Sequence, residues 1–183
     1  MRKIPTLFER DWNGDRSRVI NQVHVGCEWV ANGEGVATRK IDGACCMVRD
    51  GLLFKRRELR QNDVAPDNFE EADFDSETGK RVGWVPVGDG PEDRWFREAF
   101  ESFPPDHDGT YELVGPKVQG NPEHYPAHTL VSHHSTGVFT DAPRDFDGLK
   151  AWLAEKDIEG IVFHHPDGRM AKIKLRDFGL KRA

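Results

Sequence analysis

The 183 residues, 37% hydrophobic and 32% charged with five Trp and eleven Phe, are enough to bury a core and form one domain, or one domain with an appendage. No run of about 18 apolar residues occurs and the start, Met1 to Pro5, lacks the apolar centre of a secretory signal, so an intracellular, soluble, cytoplasmic chain is expected. A formal net charge of −6 argues against a non-specific nucleic-acid coat, and the three cysteines, Cys27, Cys45 and Cys46, are odd in number, with Cys45 and Cys46 pointing to opposite faces of a strand where they do not easily share a metal or a bridge, so they read as buried free thiols.

Residues 1 to 26 show no clean period, although Arg18 to Val25 can form a strand. Gly33-Glu34-Gly35 marks a turn, and Val36 to Thr38 run extended into Lys40, which puts that lysine at a strand end beside Gly43. Ala44 to Arg49, Asp50-Gly51 and Leu52 to Arg56 predict a β-hairpin, because Asp-Gly supplies the two positive φ angles of a tight primed turn. Residues 61 to 81 are acidic and nearly without periodicity, which predicts a mobile loop or insertion.

Gly90-Pro91-Glu92-Asp93 opens a helix whose apolar face carries Trp95, Phe96, Ala99, Phe100 and Phe103, a stripe that belongs to a core rather than to a base-stacking platform. Thr110 to Val114 and His128 to His133 are the next strands, and Asp145 or Asp147 caps a helix that turns Phe146, Leu149, Trp152 and Leu153 inward. Glu159 to His164, the Pro166-Asp167-Gly168 turn and Met170 to Leu175 form a closing hairpin.

Charge is segregated along the chain. Residues 39 to 60 hold seven basic residues against three acids, a balance of +4, and residues 169 to 182 hold six against one, +5. Residues 63 to 108 hold fourteen acids against four bases, −10. Positive charge therefore concentrates around Lys40 and around Lys172 and Lys174, which stand one residue apart on a strand and emerge on the same face, within reach of one phosphate group.

Glu112 and Glu159 sit among apolar strand residues. Facing inward, each needs a donor or a metal, but the same period-two alternation equally lets either face solvent. The pairs His133-His134 and His164-His165 invite a zinc reading, yet neighbours on a strand diverge, and no Cys-x-x-Cys or His-Glu-x-x-His spacing accompanies them. A phosphate-binding Gly-x-x-x-x-Gly-Lys-Ser/Thr loop is also missing.

Lys40-x-Asp42-Gly43, Phe54-Lys55-Arg56-Arg57, Thr110-Tyr111-Glu112-Leu113-Val114-Gly115, Glu159-Gly160-Ile161-Val162-Phe163 and Ala171-Lys172-Ile173-Lys174-Leu175 occur in an order that resembles the motifs of covalent (lysine) nucleotidyltransferases. The closest resemblance is to the small vertebrate-type 5′-3′ RNA ligases, and it covers about residues 27 to 180.

That resemblance implies an α+β adenylyltransferase (nucleotidyltransferase) domain with two antiparallel β-sheets and flanking helices, without a C-terminal OB domain. It also implies ATP and Mg²⁺ or Mn²⁺ as cofactors, with RNA ends bearing a 5′-phosphate and a 3′-hydroxyl as partners. Lys40 would carry AMP, Lys172 and Lys174 would contact the α-phosphate, Glu112 the ribose and Glu159 the metal. Arg39 would lie on the nucleotide, Asp42 would orient the loop or a metal-bound water, and Arg56 would meet the nucleotide or the RNA end. His133 or His134, and more weakly Phe139, would stand where the family stacks an aromatic ring on adenine. DNA nick sealing and a nucleotide- or RNA-binding module without turnover are the alternatives.

Overall fold

The computed structural model describes residues 3–76 and 78–182. In chain order its elements are β1 (Phe8–Arg10), β2 (Val19–Val23), α1 (Glu28–Ala31), β3 (Val36–Lys40), β4 (Ala44–Arg49), β5 (Leu52–Leu59), β6 (Glu70–Asp75), β7 (Lys80–Pro86), α2 (Arg94–Ser102), β8 (Gly109–Val114), β9 (Thr129–Ser132), β10 (Val138–Phe139), α3 (Phe146–Ala154), β11 (Gly160–His164) and β12 (Met170–Lys174). Short 3₁₀ turns occupy Pro91–Asp93, His133–Ser135 and Leu175–Phe178. The composition is α+β, and the named strands pair antiparallel in sheets of two, four and six strands, three sheets where two were expected. The additional sheet, β1 with β2, comes from the N-terminal stretch whose period was least clear.

The chain forms two compact units. One is continuous, Asp42–Ser135 with Lys3, and the other is split, Ile4–Ile41 with the residues from Thr136 onward. In the split unit the order β10-β3-β11-β12 places β11 between the lysine strand β3 and β12. Period-two alternation then sorts the faces. Ala37, Ile161, Phe163, Ala171 and Ile173 are buried in one core with Leu149 and Leu153 of α3. Thr38, Lys40, Gly160, Val162, Lys172 and Lys174 lie on the opposite face.

Helix α3 starts where Asp145 accepts a hydrogen bond from the Gly148 N–H at 2.8 Å, which settles the choice between the two aspartates as caps. Its Leu149 and Leu153, one turn apart, then meet the sheet. The free edge of β12 is covered by the N-terminal segment: the Lys172 N–H donates to the Pro5 carbonyl at 2.9 Å, and the Leu7 N–H to the Lys172 carbonyl at 2.8 Å.

The continuous unit is the sheet β6-β7-β5-β4-β8-β9. Its central hairpin turns at Asp50 and Gly51, with φ of 54° and 72°, as Asp-Gly chemistry demands. Cys46, Val48, Leu53 and Tyr111 pack on one face with Phe96 and Phe100 of α2, while Ala99 and Trp95 meet Leu113 and Val118. Phe103 departs from the expected stripe: α2 ends at Ser102, and the ring is 56% exposed.

Residues 61 to 81, expected as a loop or insertion, run instead through β6 and into β7. β6 is a sheet edge whose backbone is satisfied by β7, so acids sit there without desolvation and an apolar period is not required. The 128–133 strand is shorter than expected, because His133 opens a 3₁₀ turn.

Candidate active site

In the split unit, strand register assembles a charged triad. Gly160 is opposite both Lys40 on β3 and Lys174 on β12, so the two lysines flank a position with no side chain. A Cβ on Gly160 would lie 2.2 Å from the Ile173 carbonyl oxygen and 2.7 Å from the Lys174 Cα, so close backbone approach requires glycine there. Glu159 stands one residue before β11, where its carbonyl accepts from the Leu175 N–H at 2.9 Å. From that position its carboxylate bridges both amines: Oε2 is 2.5 Å from Lys40 Nζ, and Oε1 is 2.5 Å from Lys174 Nζ.

The three side chains are largely enclosed, at 20%, 10% and 14% exposure for Lys40, Glu159 and Lys174. Burial by itself would raise the Glu159 carboxyl, but the two ammonium charges and their hydrogen bonds outweigh it and leave the group below its ordinary value. For Lys174, burial first and the Lys40 charge second depress the amine. Glu159 is thus an ionised carboxylate clamped between cations, and the face holds one more positive than negative charge even before Lys172, half-buried on the same face, is included. Such a surface attracts an anion, and it presents an amine that is freed whenever Glu159 is engaged elsewhere.

The continuous unit assembles a different set. Cys45 on β4 pairs directly with Glu112 on β8, so their side chains share the sheet face opposite α2. Glu112, only 7% exposed, accepts from His133 Nε2 at 2.9 Å, while His133 Nδ1 is 2.9 Å from Thr110 Oγ1. Strand alternation places half-buried Arg56 on this same face, with Lys55 on the other, where it pairs with buried Asp93 at 2.5 Å. Gly43 is required beside this cluster, since a Cβ would lie 2.2 Å from the Leu113 carbonyl oxygen and 2.9 Å from Glu112 Cγ. The Asp42 N–H donates to Glu123 Oε1 at 3.2 Å, and Gln119 donates to the Gly43 carbonyl, which holds the segment after the lysine strand against the loop following β8.

The remaining sequence candidates fall elsewhere. Arg39 is opposite Ile161 in the register and therefore leaves β3 on the face away from Lys40. Phe139 packs edge-on against Trp152, with ring centroids 5.0 Å apart, on the core of the split unit. His134 is exposed and follows Ser132, whose hydroxyl accepts its N–H at 3.2 Å. The second histidine pair diverges as alternation requires: His164 bonds Thr38 Oγ1 at 2.9 Å, and His165 faces Glu34 and Asp167 at 2.9 and 2.7 Å. Sequence reasoning missed Cys45 as a neighbour of Glu112 and His133, because only the pairing of β4 with β8 makes residues 67 positions apart adjacent.

Comparison with known proteins points in one direction. The family model for RNA ligase 1 matches residues 104–183. An RNA ligase 1 of Danio rerio is 35% identical over a match covering 39% of this chain and 25% of that protein. RNA ligase 1 of Rattus norvegicus and of Mus musculus are 26% and 25% identical, over 79% of this chain and 67% of each relative. The chain resembles the RNA ligase family, and it spans between a quarter and two thirds of the length of these relatives.

Proposed function

We propose that the chain is an ATP-dependent RNA ligase that works through a lysyl-AMP on Lys40. The observation that carries this reading is the Lys40–Glu159–Lys174 triad, a largely enclosed nucleophilic amine held by a carboxylate beside a second cation. The resemblance to RNA ligases supplies the substrate class.

In the proposed first step the uncharged Lys40 amine attacks the α-phosphorus of ATP. A phosphorus–nitrogen bond forms, the bond to pyrophosphate breaks, and the amine's proton is released. Lys174, and Lys172 on the same face, stabilise the charge that accumulates on the α-phosphate oxygens. A 5′-phosphate oxygen of RNA then attacks the lysyl-AMP phosphorus and breaks the phosphorus–nitrogen bond. Finally an RNA 3′-hydroxyl attacks the activated 5′-phosphate and expels AMP.

Glu159 would hold Mg²⁺ or Mn²⁺, and one carboxylate suffices because such ions are completed by phosphates and water; the metal would offset phosphate charge. Engaging Glu159 in this way releases the Lys40 amine from its carboxylate partner. Glu112 and His133 would serve the nucleoside, Asp42 the loop after Lys40, and Arg56 the phosphate at the RNA end, for which a guanidinium fork is suited. No role follows for Arg39 from its orientation.

Incubation with α-labelled ATP and Mg²⁺, followed by a denaturing gel, tests the reading. Acid-labile, base-stable label on the wild type and none on Lys40→Ala is the expected result. Label that persists on Lys40→Ala would overturn it. Matched RNA and DNA nicks then decide the substrate: poor sealing with DNA on the 3′-hydroxyl side is expected, because the 2′-hydroxyl marks RNA, and equal sealing would favour DNA repair.

A further inference from the structure

We infer that Cys45, Glu112 and His133 form a binding site for a thiophilic divalent cation of the zinc type, separate in chemistry from any Mg²⁺ that serves ATP. The three potential ligand atoms, one thiol sulfur, one carboxylate oxygen and one imidazole nitrogen, lie within 4.8 Å of one another. Cys45 and Glu112 come from the paired strands β4 and β8, and His133 from the turn directly after β9, the next strand of the same sheet.

Bond lengths of about 2.0–2.3 Å around zinc put tetrahedral ligand atoms roughly 3.3–3.8 Å apart. The observed spread brackets that spacing, with His133 Nε2 and Glu112 at 2.9 Å on the short side. Cys45 and His133 are half-buried, whereas Glu112 is buried, and a water would complete the coordination as fourth ligand.

The ligand set favours zinc over magnesium. Thiolate and imidazole are soft or borderline donors, and hard cations choose oxygen. One thiolate and one carboxylate also neutralise the charge of a divalent cation.

Thr110 completes the arrangement as a positioning residue. With its Oγ1 2.9 Å from His133 Nδ1, it can accept the Nδ1–H and leave the Nε2 lone pair aimed at the cation, the outer contact that metal-bound histidines use. In the metal-free form His133 Nε2 is 2.9 Å from Glu112 and Nδ1 is 2.9 Å from the Thr110 hydroxyl. Metal binding therefore takes up the His133 Nε2 and Glu112 oxygen that now face each other, and Cys45, which ligates as a thiolate, gives its proton to solvent.

The site lies wholly in the continuous unit, and its chemistry is independent of whether the chain ligates RNA. If Glu112 does serve the nucleoside, occupancy by zinc withholds it.

Cobalt(II) is the probe. The intact chain should take up one equivalent with a near-ultraviolet thiolate-to-cobalt charge-transfer band, and zinc should bleach it. Cys45→Ser should abolish the band, His133→Gln should weaken cobalt binding by roughly 100-fold, and Thr110→Val by about 10-fold. Cys27→Ala, which alters a thiol in the other unit, should retain it.

Wild-type protein gives a second readout that no variant can confound by misfolding: one equivalent of zinc should protect Cys45 from alkylation, as mapped by mass spectrometry, and a chelator should restore reaction. A missing band on the wild type, a band that survives in Cys45→Ser, or alkylation of Cys45 indifferent to zinc would each overturn the site.

Discussion

The two charged faces of this protein are built by the same device and end with different chemistry. In the split unit, β3, β11 and β12 bury Ala37, Ile161, Phe163, Ala171 and Ile173 on one side and send two lysines out on the other, with one carboxylate between them. In the continuous unit, β4 and β8 bury Cys46, Tyr111 and Leu113 toward α2 and send out a thiol and a carboxylate, with an imidazole joining from the turn after β9. Alternation guarantees a polar face opposite each core, but it does not select which charges meet there; register does. A face with excess ammonium suits phosphate, and a face of thiol, carboxylate and imidazole suits a cation or a hydroxyl.

The difference is broken most completely at Lys40. Lys40→Ala should remove covalent labelling altogether, whereas Glu112→Gln should leave detectable label, because the amide still accepts from His133; time courses of label uptake decide.

Stability separates the faces next. Glu159→Gln leaves two enclosed ammonium groups without their anion and should cost about 3 kcal/mol, while Glu112→Gln should cost about 1 kcal/mol, both read by urea unfolding. Adding Lys174→Met to Glu159→Gln should recover part of that loss, and a double-mutant cycle without coupling would show that the bridge is not the source.

Acid sharpens the same contrast. Glu159 has a folded-state pKa below its unfolded value of about 4.3, so its contribution is fully present above that pH and is lost as pH falls through the lower folded value. Lys174 acts at the other end: its folded-state pKa lies below its unfolded value of about 10.4, so stability rises as pH climbs between the two. Unfolding curves of wild type and Glu159→Gln should therefore converge in acid, and parallel curves would contradict the clamp.

The smallest effect belongs to an exposed ion pair away from both clusters. Glu70→Ala removes an ion pair to Arg49 whose side chains are 41% and 52% exposed, and it should leave the urea unfolding midpoint close to that of the wild type.

Much of the local structure was legible in the chain itself. The Asp50-Gly51 turn, the strand ending at Lys40, the closing hairpin and a helix cap at one of Asp145 and Asp147 each rest on neighbouring residues, while the structure chose Asp145 between the two. β6 was hidden because an edge strand does not need an apolar period, and the exposure of Phe103 was hidden because a helix can end one residue before its stripe does.

The site divides along the same line. Lysines at 172 and 174 must share a face in any strand, so that much is sequence. Arg39 parts from Lys40 by the same alternation, whereas two facts depend on which strands are neighbours: Glu159 reaches both Lys40 and Lys174, and Cys45 meets Glu112 and His133. Pairing over separations of 67 to 119 residues is decided by how two cores pack, and no local preference encodes it.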